Sequence, residues 1–233
     1  MREIVLDTET TGLDPSDGHR IVEIGAVELI NHVPSGASFH AYINPQRDMP
    51  PEALAVHGLD SAFLSDKPVF SDVVGDFLAF IDSARLVIHN AAFDLRFLNA
   101  ELIAAGLPRL DEARAVDTLT IARRRFPGAP ASLDALCRRF GVDNSAREKH
   151  GALLDAEILA EVYLELIGGR QPDFGLAADT ARPGLALPGS ADTRLPPRPA
   201  PLPPRLTAAE AEAHAAFVAG LGETAIWTRY GSG

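Results

Sequence analysis

The sequence predicts an α/β fold: a mixed β-sheet flanked by helices, followed by a largely disordered C-terminal linker and a short terminal helix. Three observations predict it. Three strand-like runs crowd the N-terminus. Beyond them a short apolar run alternates with stretches of helical apolar spacing. From residue 170 onward the composition turns to proline, and the chain loses the means to pack.

The first strand starts at residues 4–6 and ends at Asp7-Thr8-Glu9, the second is read at 21–30 and the third at 38–43. Their short polar connections favour an antiparallel meander. Pro50-Pro51-Glu52 opens a short helix that stops near Gly58. Val73, Val74, Phe77, Leu78 and Ile81 recur at helical spacing over residues 71–81. Residues 86–88 form a short buried strand. A helix over 92–105 is stopped by Gly106 and Pro108. Further helices are read at 118–126, 133–140 (with Ser132 as N-cap) and 152–167.

Composition sets three domain-level expectations. Residues 1–169 hold every long periodic stretch and form one catalytic-sized domain. Residues 170–205 hold nine of the eighteen prolines, and the run LPPRPAPLPPR from Leu195 reads as an extended, solvated linker. Residues 206–233 regain order, because Thr207 and Glu210 have the spacing of a capping box, with Gly220 and Gly222 as the stop. No apolar run is long enough to cross a membrane, and the N-terminus does not read as a signal peptide. The single cysteine, Cys137, sits in an apolar run and reads as a core residue. Having no disulfide partner, it fits a reducing cytoplasm.

The net charge is −11, and all of it falls in the first domain. Residues 1–169 carry 26 acidic and 15 basic side chains, whereas 170–233 carry six of each. This excludes a protein that coats nucleic acid by charge alone.

Four acids stand out within that excess. Asp7 and Glu9 end the first strand and share a face with Val5, so both point at a core edge. Two carboxylates aimed the same way repel, and a bound dication is the physical reason to tolerate it. A solvated strand end is the bland alternative. Asp94 borders the apolar stripe formed with Leu98 and Leu102, though an acid there also complements the helix dipole. Asp155 is the clearest case. Leu159, Val162 and Leu166 follow it at core spacing, which puts a carboxylate on a buried face. No Lys or Arg lies between Gly151 and Gly169 to pair with it. His150 precedes it by five residues and fits the turn entering that helix.

Together, Asp7-x-Glu9-Thr-Thr-Gly, His89-Asn-Ala-x-Phe-Asp94 and His150-x-Ala-x-x-Asp155 resemble the three motifs of the DEDD exonuclease superfamily, in its histidine-bearing branch. The runs IVLDTETTG, VIHNAAFD, SLDALC and HGALLDAEILAEVYL are similar to the proofreading exonucleases of bacterial replicative polymerases. The resemblance covers residues 1 to about 168 and departs at no catalytic position. It implies a ribonuclease-H-like fold and 3′→5′ hydrolysis at a single-stranded or mismatched DNA 3′ end, releasing 5′-mononucleotides. It further implies two divalent ions, Mg²⁺ or Mn²⁺, held by Asp7, Glu9, Asp94 and Asp155, with His150 as general base. Thr10, Thr11, Gly12, Glu52, His57 and Phe93 match substrate-contacting positions, although Glu52 and His57 also suit a capped surface helix and Phe93 a core role.

An exonuclease domain needs no such tail to cut DNA, so the tail is expected to serve partners. Gln171, Phe174 and Leu176, within residues 171–176, resemble the peptide that docks on the bacterial sliding clamp. The terminal piece around Trp227 would, by the same resemblance, bind the polymerase subunit. A free-standing exonuclease acting on RNA ends would share the motifs without needing the tail. An inactive module would lack at least one of the five site residues, and all five are present.

Overall fold

The computed structural model describes residues 1–145, 147, 149–168 and 207–221. The proline-rich segment 170–205, the 171–176 peptide and Trp227 lie outside the described residues. The described chain falls into two units, the first holding everything up to residue 168 and the second a single helix.

The sheet has five strands: β1 (Arg2–Thr10), β2 (Ile21–Ile30), β3 (Val33–Tyr42), β4 (Arg85–Ile88) and β5 (Ala115–Asp117). Their order is β3-β2-β1-β4-β5. β1, β2 and β3 pair antiparallel, as the crowded N-terminal runs imply, while β4 lies parallel to both β1 and β5. The helices are α1 (Pro51–His57), α2 (Ser61–Leu64), α3 (Phe70–Ile81), α4 (Ala91–Ala104), α5 (Thr118–Arg125), α6 (Leu133–Phe140), α7 (Ala152–Leu166) and, in the second unit, α8 (Ala208–Gly220).

Alternation along β1 divides the core in two. Ile4 and Leu6 join Ile24, Leu86, Phe77, Phe97 and Leu98 on the face covered by α3 and α4. Val5 joins Val27, Val87, Leu136, Leu159 and Val162 under α5, α6 and α7. Val27, Val5, Val87 and Val116 form one row across four strands, paired residue to residue. Both faces of the central strands are therefore dry. This is why the middle of β1 and most of β2 read as apolar runs broken mainly by acids.

Several boundaries differ from the sequence reading, for local reasons. β3 begins at Val33, five residues before the expected start. Asn31 and His32 both adopt positive φ and close a two-residue hairpin, a conformation that Asn tolerates. The early residues of β3 are exposed and include Pro34 on the sheet's edge, so they lack the apolar alternation that marks a strand. β1 runs through Asp7 and Glu9, as expected, and ends one residue later at Thr10. β5 and α2 are three and four residues long, too short to show a period. α1 ends as expected: Gly58 is left-handed at its C-cap, with its N–H on Leu54 O. α8 carries the full capping box between Thr207 and Glu210.

One contact sets where α7 can lie. Gly25 of β2 pairs with Asp7, and a Cβ on Gly25 would overlap the backbone of Ala152 and Leu153 in the first turn of α7. Only glycine lets that turn rest on the sheet. The Arg125 guanidinium then fastens the far end of the helix, donating to the carbonyls of Glu165 (2.8 Å) and Leu166 (2.5 Å), which have no partner within α7.

Two glycine substitutions test this packing in opposite directions. Gly25→Ala should destabilise by about 1–3 kcal/mol, since backbone must move to accommodate it. Gly75→Ala, in the interior of α3 with open space around the new methyl, should stabilise by about 1 kcal/mol. Urea unfolding of both variants beside the parent chain checks the pair.

Candidate active site

The five residues singled out by the motifs meet at the carboxyl ends of the parallel strands β1 and β4. That end is where open α/β sheets place their ligands. Asp7 and Glu9 project from β1 on the α7 side, beside Gly25 and Glu23 of β2. Thr8 projects on the opposite side, and its hydroxyl donates to Asp94 Oδ1 at 2.7 Å. Helices from the two faces thus deliver their acids to one strand end.

Asp94 is 3% exposed in the first turn of α4. The turn into that helix is built by Asn90, whose left-handed conformation reverses the chain after β4. Asp117, at the end of β5, braces it. Its carboxylate caps α5 at Leu119 N and also accepts from Asn90 N, both at 3.0 Å. His89 meets the Thr118 hydroxyl at 2.9 Å.

Asp155 is 2% exposed in the first turn of α7, and His150 sits on the turn before that helix. The backbone N–H of His150 donates to Val56 O of α1 at 3.2 Å, which ties the two segments together. Glu9, His150 and Asp155 can each present a ligand atom within 4.8 Å of the others. No cation along α7 pairs with Asp155, in line with the sequence, but one from the preceding loop does. Arg147 donates through Nε (2.5 Å) and Nη2 (2.7 Å) to the two Asp155 oxygens, through Nη1 to Asp134 at 2.7 Å, and through Nη2 to His150 Nδ1 at 2.9 Å. The motifs did not flag Arg147. An arginine eight residues before a buried aspartate is the signal that could have found it.

Burial and like charge dominate the electrostatics. Asp7 is held well above the ordinary carboxylate range, first by desolvation and then by the negative charges of Asp94, Glu9 and Asp155. Desolvation, with Asp155, Glu23 and Asp94 adding to it, pushes Glu9 up to about 8. Desolvation pushes Asp94 up to about 7, against the bond from Thr8 that favours its ionised form. A cluster that resists ionisation in this way is suited to hold divalent ions, which supply the missing positive charge to hard oxygen donors.

Beside the acids lies a cavity of about 520 Å³, lined by Thr10, Thr11, Gly12, Glu52, His57 and Phe93. All six residues expected to touch substrate are therefore on its wall. Leu13 and His19 also line it, and the motifs did not single them out. Leu13 is 78% exposed at the rim, and His19 bonds the Thr11 hydroxyl at 3.1 Å while packing on the face of Gly12. His57 is buried with Nδ1 accepting from Leu59 N, and among the described residues its Nε2 meets no partner within hydrogen-bond geometry. Phe93 packs its ring 5.0 Å from Phe97, so it serves the core and the cavity together. Two arginines in the last turns of α5 and α6 are structural: Arg125 caps α7, and Arg139 lies over the Phe126 ring at 4.2 Å.

The raised acids set a pH dependence. Glu9 titrates near 8 in the fold against 4.5 for an ordinary glutamate, so between those values the folded chain binds more protons than the unfolded one. Its relative stabilisation is complete below about 4.5 and is lost as pH rises through about 8. With metal chelated, Tm should fall between about pH 5 and about pH 8, and Glu9→Gln should flatten that fall, as followed by circular dichroism.

Comparison with known proteins agrees with the geometry. The exonuclease family profile (RNase T) matches residues 4–163. DNA polymerase III subunit epsilon of Rickettsia conorii is 56% identical over 184 residues, 78% of this chain and 80% of that protein. The protein of the same name from Escherichia coli K12 is 51% identical over 176 residues, 72% of each chain. Among solved structures, exonuclease X in complex with 5′-overhanging duplex DNA superposes with a TM-score of 0.56 at 28% identity, covering 71% of this chain and 90% of that one. The chain belongs to the exonuclease family, as a 3′→5′ exonuclease of the DNA polymerase III epsilon type.

Proposed function

We propose that the chain proofreads DNA synthesis by hydrolysing the last phosphodiester of a single-stranded or mismatched 3′ end, with two divalent ions, Mg²⁺ or Mn²⁺, held by Asp7, Glu9, Asp94 and Asp155. The observation that carries this reading is the convergence of four carboxylates and His150 at one strand end, beside a cavity that fits a terminal nucleotide. When bound, the ions would acidify the attacking water and stabilise the leaving 3′ oxygen.

The residues divide the remaining work. Asp7 is surrounded by the other three acids and would hold the ions together with them. Glu9 and Asp155 come within mutual reach of one ion. One oxygen of Asp94 accepts from Thr8, which would leave the other to help hold an ion. His150 stands beside Glu9 and Asp155, half exposed, where it can take the proton of the attacking water. The Thr10–Gly12 backbone, Glu52 and buried His57 offer polar contacts to the terminal sugar and phosphate, with Phe93 beneath the base.

The tail would supply the DNA. The acid excess of residues 1–169 opposes tight binding to nucleic acid, so delivery by a partner suits this domain. We assign the polymerase III alpha subunit to the 206–233 tail and the sliding clamp to Gln171, Phe174 and Leu176, with residues 170–205 as the linker. The relatives' designation as subunits and the exposure of Phe217 on α8 support the first assignment. The lone buried Cys137 suits the cytoplasm as the compartment.

Asp7→Ala, Asp155→Ala and His150→Ala should each abolish release of 5′-mononucleotides from a mismatched DNA 3′ end while the chain stays folded. Normal turnover by Asp155→Ala would sink the assignment. A chain ending at Gly169 should keep nuclease activity and lose alpha-subunit binding in a pull-down.

A further inference from the structure

Arg147 stands out because its guanidinium uses the same atoms that the proposed chemistry needs. It takes both oxygens of Asp155 in a side-on fork and also donates to Nδ1 of His150. Its side chain is 7% exposed, and Asp155 is 3% exposed, so this is a buried, desolvated pair and not a surface contact. A third bond, from Nη1, runs to Asp134 on α6, which is 45% exposed and also accepts from Asn144.

The bond to His150 has a chemical consequence. A guanidinium can only donate, so Nδ1 must accept, and the proton of the neutral imidazole then sits on Nε2. In that arrangement neither ring nitrogen is free to take a proton. It also means that His150 and Asp155, 3.5 Å apart, do not share a proton while Arg147 lies between them. One side chain thus blocks a metal ligand and a base together.

We propose that Arg147 is a latch on the metal site: its guanidinium stands in for a divalent ion at Asp155, and metal binding displaces it and releases His150 at the same time. The inference rests on the metal-site reading above. Asp134 and Asn144 give the displaced group somewhere to go, because the Nη1–Asp134 bond faces the surface and can persist while the fork on Asp155 opens. The guanidinium offsets the repulsion among Asp7, Glu9 and Asp155, so it lets the acids assemble before any ion arrives. Metal entry is then an exchange of one cation for another, not the filling of a bare anionic hole.

The test is Mn²⁺ titration of the full chain by electron paramagnetic resonance, comparing parent, Arg147→Met, Arg147→Lys and Asp155→Asn. Arg147→Met should bind Mn²⁺ about tenfold more tightly, since no charge-assisted fork has to open. Arg147→Lys keeps the charge but cannot form the fork. It should also bind more tightly than the parent, which separates displacement from a simple charge effect and carries the test if the Met variant does not fold. In the parent, the His150 Nδ1 resonance in ¹⁵N NMR should shift on Mg²⁺ addition and in Arg147→Lys should start near the shifted position. Unchanged or weaker Mn²⁺ binding by folded Arg147→Lys, or an immobile Nδ1 resonance, would overturn the latch. Asp155→Asn binding Mn²⁺ as the parent does would overturn the metal-site reading itself.

Discussion

The site depends on one steric allowance: the bare face of Gly25 on which the first turn of α7 rests. A helix normally stands off a sheet by the length of its side chains, about 10 Å between layers. Here the backbone of Ala152 and Leu153 touches the strand, next to the residue paired with Asp7. Asp155, two residues further on, is brought down to the level of the β1 carboxylates. With a side chain at position 25, α7 would have to stand off, and Asp155 would move away from Glu9 and Asp7.

The fold treats its buried acids in two ways. Glu3 accepts the Tyr163 hydroxyl at 2.8 Å, Glu101 takes a bidentate Arg20 at 2.6 Å, and Glu23 meets His40 at 2.7 Å. Each of these has a dedicated partner within the fold. Around Asp7 and Glu9 the neighbours are chiefly more negative charge, offset by Arg147. Like charges held this close cost stability unless positive charge is brought to them.

Much of this was legible in the sequence. The burial of Asp155 followed from its helical spacing alone, and the shared face of Asp7 and Glu9 from the strand period. Asp94 and His150 gained their meaning only from the joint motif. What stayed illegible depends on contacts distant in sequence or on segments too short to repeat. The role of Gly25 appears only when the strand and a helix some 127 residues later are brought together. β5 contributes three residues, yet its Asp117 fixes the turn that carries Asp94. Arg147 sits in an irregular loop, where no periodicity marks which way a side chain points.

Arg125 gives the exonuclease unit a mechanical property. It clamps α7 at Glu165 and Leu166, where the described part of this unit ends. Asp155 lies eleven residues away, about 16 Å along the same helix. Tension applied through the chain that follows is borne at that clamp and passed to α5 before it can reach the acids.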